Sequence, residues 1–412
     1  MAPDTPAGPT SPFSLSTPAR TLTVDGGRGR FRPLSAGGGT VPAASAALRG
    51  ARAAGWDDPR IVGALPFRTR DPAALLVADA VVGGPRPPRT PDDADPALPA
   101  PRFRLREEPS ADEYARLVAV AVDRLSREGL DKVVLARTLL VELEEPLDPA
   151  RVLARLAAEN PGAHNFAVAT GADGTGPGDP RPVLVGASPE LLVARDGPRV
   201  RSHPLAGSAP RHPDPATDRD RAHALLSSAK DLGEHAFVVE AVAERLRPLC
   251  SRLDVPPAPT LTATATMWHL GTPVAGLLRD PLPSALELAL LLHPTPAVCG
   301  TPPDTAARAI GRWEPFDRGL YAGAVGWCDA DGDGEWAVAL RCAEIAGTRA
   351  RLFAGAGIVA GSDPASEAAE TGAKFRTMLN ALGLGSVSAA PAVPAAPTAP
   401  AAPVPTPHGG HP

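Results

Sequence analysis

Two pairs of acids in this chain each stand three residues apart. Asp231 and Glu234 lie in SAKDLGEH; Glu367 and Glu370 lie in SEAAETGAK, which ends on Lys374. On a helix such spacing puts each pair on one face, and Lys374 falls in line with the second pair. Two such helices facing each other across a cleft could bind Mg²⁺, which favours oxygen ligands and usually keeps several waters. One carboxylate from each helix would touch the ion, and the second acid of each pair would hold a water. The same spacing also describes two charged helix surfaces facing solvent. Lys132 begins the apolar run KVVLAR, and Glu190 sits in ASPELLV. A lysine acting as general base must be neutral, which requires burial or neighbouring cations. A glutamate acting as general acid must hold its proton near neutral pH, which burial favours. As strand-end charges at the surface, the two would do neither.

Composition removes several alternatives. The 412 residues can bury a large core and carry a net charge of -5 with no long basic run, so no nucleic-acid partner is expected. No apolar run reaches the ~18 residues needed to cross a bilayer, and the first residues lack a secretory signal pattern. No membrane partner is expected. Cys250, Cys299, Cys328 and Cys342 show no CxxC pairing, so packed thiols in a cytoplasmic protein are expected rather than a zinc site. Asp331, Asp333 and Glu335 resemble part of a calcium loop, but the later glutamate is missing and both flanks read as strands, so a hairpin turn is expected. The Gly355–Gly357 run lacks a phosphate-cradling lysine, and no Gly-x-Ser-x-Gly elbow is present.

The elements that must position these residues follow from periodicity and punctuation. A β-branched strand is predicted over 132–141 and a glycine-punctuated strand over 352–360. A helix over 364–382 is to be capped by Ser362 or Asp363, with Pro364 in its first turn. One long helix is expected over roughly 217–249. Strands are expected over 319–326 and 335–345, joined by the Asp/Gly turn at 329–334. Phe13 to Leu34 is expected to supply two strands around a turn at 25–27. The stretch 85–101 reads as a surface connection separating an N-terminal part from the section that carries the chemistry. The glycine-rich loop at 171–182 reads as a hairpin tip. Residues 1–12 and the Ala/Pro tail at 386–412 read as disordered, leaving one catalytic domain over 13–385.

Taken together, KVVLAR, GASPELLV, SHPLAGSAPR, KDLGEHAFVV, WHLGTP, LHPTPAVCGTP, FDRGLYAGAVGW, GDGEWAVALRCAEI and AGAGIVAGSDPASEAAETGAK resemble the chorismate-utilising enzymes. The resemblance is dense over 105–384. It implies an α/β fold of two packed antiparallel sheets with helices outside, chorismate as substrate and Mg²⁺ as cofactor; a monomer is expected. Lys132 then resembles the base that activates water, and Glu190 the acid that protonates the departing hydroxyl. Glu234 and Glu370 resemble direct metal ligands, with Asp231 and Glu367 behind them. Gly207 and Ser208 resemble backbone donors to the ring carboxylate. Tyr321, Arg341 and Lys374 resemble a clamp on the enolpyruvyl carboxylate, helped by amides near Gly355 and Gly357. His269 looks like a histidine lining the site.

Within the family, HPTPAV and GDGEW resemble siderophore-type isochorismate synthases most. Salicylate synthases typically put threonine near Ala297, so an apolar residue there implies that the reaction stops at isochorismate. Salicylate synthase, menaquinone-pathway isochorismate synthase and a non-catalytic chorismate-binding protein remain the alternatives.

Overall fold

KVVLARTLLVEL carries apolar side chains at successive positions, as a strand covered on both faces requires. In the computed structural model it forms Lys132–Leu143, a twelve-residue strand buried along nearly its whole length. The structure describes residues 11–24, 30–34, 39–79, 81–83, 102–170 and 181–385. The turn at 25–27, the connection at 85–101, the tail and most of the 1–12 and 171–182 segments lie outside the described residues.

Two large sheets carry the fold, and every strand pairing among the described residues is antiparallel. One has ten strands, in the order Gly300–Thr301, Lys132–Leu143, Arg349–Ile358, Cys342–Ala346, Val183–Ser188, His164–Ala169, Phe13–Ser16, Thr21–Val24 and Val81–Gly83, with Phe103–Glu108 also on Lys132–Leu143. The other has nine, in the order Cys250–Asp254, Val274–Leu278, Arg199–His203, Leu191–Asp196, Gly334–Val338, Ala324–Asp329, Pro59–Leu65, Ala74–Asp79 and Phe31–Pro33. The resemblance to a two-sheet fold holds, with one addition. Leu205–Pro210, Met267–Gly271 and Thr260–Ala263 form a third, three-stranded sheet.

The N-terminal strands do not form a separate part. Phe13–Ser16 pairs with His164–Ala169, and Pro59–Leu65 pairs with Ala324–Asp329. Phe13 and Leu15 are fully buried, each contributing roughly 1.5–3 kcal/mol. Three short strands, not two, come from the first 34 residues.

Three further expectations are corrected. The long helix is broken at Ser228 into Pro215–Ser227 and Ala229–Leu246. Ser228 is extended and its side chain accepts from the Asp231 amide, so a fresh helix starts there. The 335–345 strand is likewise two. Gly334–Val338 lies in the nine-stranded sheet and Cys342–Ala346 in the ten-stranded one. The chain changes sheets at Arg341, whose φ of 48° is the left-handed conformation that a sharp redirection requires. The 319–326 prediction shifts to Ala324–Asp329, after turns at 319–323. At 329–334 the hairpin turn forms as expected, with Asp329 Oδ1 accepting from the Asp331 and Asp333 amides.

A buried ion pair ties the turn after helix Pro303–Trp313 to the core. The Arg318 guanidinium donates to both Glu314 oxygens, at 2.8 and 2.5 Å, and both side chains are almost fully buried. Removing one partner of such a pair typically costs about 3–5 kcal/mol. The four cysteines are free and buried. No helix among the described residues is long and apolar enough to cross a membrane.

Candidate active site

Two helix starts deliver the acids. Helix Ala229–Leu246, capped by Ser228, carries Asp231 in its first turn and Glu234 just beyond. Helix Pro364–Ala381, capped by the Asp363 side chain, carries Glu367 in its first turn and Glu370 just beyond. Helix N-termini present unsatisfied N–H groups and a positive dipole end, which favours carboxylates there.

Each of three acids is matched by an ammonium. Lys132 Nζ lies 3.0 Å from Glu234 Oε1, Lys230 Nζ 2.6 Å from Glu367 Oε1, and Lys374 Nζ 2.5 Å from Glu370 Oε1. Ser208 Oγ also donates to Glu370, at 2.9 Å. Burial pushes the Glu370 carboxyl up, but Lys374 and Ser208 outweigh it and hold the group below the usual carboxylate range. Burial, aided by the neighbouring Glu370 charge, raises Glu367 despite Lys230. Burial also raises Asp231, opposed by its hydrogen bond with Ser228.

Glycine makes two of these approaches possible. A Cβ on Gly357 would sit 2.0 Å from Glu234 Oε1 and 3.0 Å from Lys132 Cε, so any side chain there would push the pair apart. Gly207 has a φ of +77° at a bulge in Leu205–Pro210, and a Cβ there would meet the Asp231 Cβ at 3.0 Å.

One pocket gathers most of the residues singled out from sequence. Glu190, Gly207, Ser208, Glu234, His269, Ala297, Tyr321, Arg341, Gly355, Gly357, Glu370 and Lys374 all line it. Lys132, Asp231 and Glu367 do not. Lys132 is wholly shut off from solvent behind Glu234 and Gly357, and its Nζ makes an ion pair but no hydrogen bond. Glu367 faces Lys230, and Asp231 packs beside Gly207.

Arg341 reaches the pocket because the chain crosses between sheets at that residue. Its Nη2 lies 3.4 Å from His269 Nε2. Arginine only donates, so Nε2 accepts and the proton is assigned to Nδ1. Burial, with Arg341 and Lys374 nearby, holds His269 well below the usual histidine range, and hence neutral. Tyr321 stacks on Phe353 with centroids 4.8 Å apart, and Lys374 Nζ donates to the Gly355 carbonyl at 2.8 Å. Glu190 is 2% exposed; burial raises its carboxyl to about 8, despite a backbone hydrogen bond from Leu205 and the charges of Lys132, Arg341 and Lys374. At neutral pH it therefore carries a proton.

Sequence reasoning missed Lys230 and Arg318. Lys230 adjoins Asp231 in the first turn of a helix whose start is hidden within a longer periodic run. Arg318 lines the pocket from a turn, and a single arginine in FDRG gives no pattern to follow.

The glutamate oxygens in the pocket lining suit a hard divalent cation that keeps some waters. Of the three glutamates on the pocket wall, Glu234 and Glu370 are the two that could hold such an ion. Among the described residues no three acids, histidines or cysteines converge on one point, so water and a ligand oxygen would complete the coordination.

Two large antiparallel sheets whose shared pocket gathers carboxylates, ammonium groups and a buried guanidinium make an enzyme suited to a small anionic substrate. The family signature described as chorismate binding enzyme matches residues 89–383, and the chain belongs to that family. It is 45% identical over 381 residues to isochorismate synthase DhbC of Bacillus subtilis (strain 168), across 90% of this chain and 94% of the relative. It is 40% identical over 386 residues to isochorismate synthase EntC of Escherichia coli (strain K12), across 90% and 95%. A crystal structure of a putative 2,3-dihydroxybenzoate-specific isochorismate synthase, DhbC from Bacillus anthracis, is similar with a TM-score of 0.82 and 42% identity, over 91% of this chain and 96% of that one.

Proposed function

We propose that this protein is an isochorismate synthase that uses Mg²⁺ to isomerise chorismate, serving 2,3-dihydroxybenzoate siderophore synthesis. The observation that carries the reading is Glu190, a pocket carboxyl kept protonated by burial, in the field of Lys132. Water adds to the second ring carbon and gives its proton to Lys132, in the form of the enzyme in which that lysine is unprotonated. The ring double bonds shift, and the hydroxyl on the fourth carbon leaves as water with the proton of Glu190. Water is consumed and released, so the reaction is reversible.

Chorismate carries two carboxylates. Arg341, Tyr321 and Lys374 bind the enolpyruvyl one, Lys374 giving up Glu370 to do so. The amides around Gly207 and Ser208 bind the ring carboxylate, and His269, neutral, orients groups near the ring. Amides near Gly355 and Gly357 help the same clamp. Glu234 and Glu370 would hold the Mg²⁺, with Asp231 and Glu367 behind them. When bound, the ion would supply positive charge to balance the ring carboxylate.

Residues 13–385 act as one catalytic domain, a reading supported by the N-terminal strands in both sheets. Four buried free thiols support a reducing, cytoplasmic setting. Only four large apolar side chains are exposed among the described residues, which supports a monomer.

Chromatography of the products of chorismate with Mg²⁺ and no ammonia tests the reading. Isochorismate is expected, with little salicylate or pyruvate, because Ala297 gives the pocket an apolar wall there. Salicylate with stoichiometric pyruvate would move the protein to the salicylate branch. Glu234→Gln and Glu370→Gln each test the metal assignment. Loss of groups merely supporting a metal ligand costs 10–100-fold in metal affinity or activity, so each variant should need at least about tenfold more Mg²⁺ for half-maximal rate. A wild-type Mg²⁺ titration curve from both variants, or full wild-type turnover in EDTA, would remove the ion from the mechanism.

A further inference from the structure

The strand that carries Lys132 has a gap along one edge. Its inner edge runs against Arg349–Ile358 without interruption, from Val133 to Glu142. On the outer edge, Gly300–Thr301 pairs only with Val133 and Lys132, and Phe103–Glu108 pairs only with Thr138–Leu143. Residues 134–137 have no paired strand beside them there, and one backbone bond reaches in, from the Val134 amide to the Cys299 carbonyl at 2.8 Å.

Side chains fill the rest of that gap. Arg318 Nη2 donates to the Val134 carbonyl at 2.8 Å, and the Ala136 amide donates to Glu314 Oε1 at 2.7 Å. The same guanidinium donates through Nη1 to the Val298 carbonyl at 2.7 Å. Val298 directly follows Ala297, and both line the pocket. Phe67 covers the guanidinium face, its ring centroid 4.4 Å away.

We infer that Glu314 and Arg318 form a positioning pair that replaces the missing strand and fixes the Lys132 strand relative to the Ala297 wall. This inference rests on the proposed function for its catalytic meaning. Neither residue is a proton donor or acceptor in the reaction. A planar guanidinium can span two carbonyls and a carboxylate at once, whereas a lysine ammonium is a single point charge on a flexible stem. Substituting lysine therefore keeps the charge and loses the span. A misplacement of about 1 Å at reacting groups can cost about 10²-fold in rate.

Arg318→Lys, Arg318→Ala and Glu314→Gln are compared with wild type in three measurements. The first is hydrogen exchange of the peptide covering residues 132–137, which does not depend on any reaction. The second is kcat and KM for chorismate, expressed per folded molecule from melting curves. The third is rescue of Arg318→Ala by guanidinium or methylammonium at sub-denaturing concentration. Exchange should rise in every variant. In Arg318→Lys, kcat should fall about 10–100-fold while KM shifts by less than about threefold. Guanidinium, and not methylammonium, should restore part of the rate. If Arg318→Ala does not fold, the other two variants carry the comparison. The pair has no positioning role if the 132–137 peptide exchanges as in wild type in Arg318→Lys and Glu314→Gln. Nor does it have one if kcat per folded molecule stays at the wild-type value in both. Wild-type protein inert towards chorismate overturns the proposed function, and the exchange result then still decides whether the pair closes the strand edge.

Discussion

Lys132→Ala should lower chorismate turnover about 10²–10⁴-fold while KM stays near the wild-type value, the signature of a lost general base. Lys132 is not among the residues that line the pocket. It lies behind Gly357 with its ammonium against Glu234, so its removal takes away no surface on which chorismate rests. The variant also leaves the Glu234 carboxylate without its partner. Its melting temperature must therefore be measured beside the rate, and rates are compared per folded molecule. The pH profile separates a base from a structural lysine. A base works only without its proton, so wild-type activity should rise with pH on its acid side, and Lys132→Ala should lose that limb. A variant with the wild-type limb intact and only a uniformly lower rate would show that another group takes the proton.

Glu190→Gln should give a comparable loss, about 10²–10⁴-fold. Glutamine keeps the shape and the buried hydrogen bond but has no proton to give to the leaving hydroxyl. The wild-type alkaline limb should fall near pH 8, where the carboxyl ionises, and this limb should vanish in the variant. Stability offers a check that needs no substrate. Burial raises the folded carboxyl from 4.5 to about 8, so between those values the folded state binds more protons than the unfolded one. Stability from this group is then present below about 4.5 and is lost as pH rises towards 8. Glu190→Gln has no such loss, so its melting temperature should gain on wild type across that window. Parallel melting curves from pH 5 to pH 9 would falsify the assignment of a buried, protonated acid.

The sequence made the acids legible because their spacing is local. The pairs Asp231/Glu234 and Glu367/Glu370 follow from helical geometry, and Asp363 and Pro364 mark where the second helix begins. Ser228 and Asp231 carried a comparable capping signal, but the periodicity on either side hid the break between helices. Arg341 was legible only through the family resemblance. From pattern alone the 335–345 run reads as one strand, and nothing local shows that its halves join different sheets. Arg318 and Glu314 were illegible for the same reason. Their partners at 134, 136 and 298 are distant in sequence, and a buried ion pair four residues apart reads like any exposed one until its surroundings are known. Lys132 lay between these cases: a charge at the head of an apolar strand announces burial or an edge, and only packing decides which.

The interleaving of early and late strands also bears on how the chain can be made. Leu65 pairs with Ala324 and Phe13 with Val168, so strands that leave the ribosome first wait for partners made much later. During that wait Phe13, Leu15, Ile61 and Leu65, all buried in the finished molecule, have no native cover. At synthesis rates of about 5–20 residues per second, the interval between Leu65 and Ala324 lasts on the order of ten seconds or more. Unpaired apolar strands held open that long invite chaperone binding or pairing between neighbouring chains. Position 89, where the family match begins, is accordingly no place to start a shortened chain. Such a chain would expose the outer edges of His164–Ala169 and Ala324–Asp329 together.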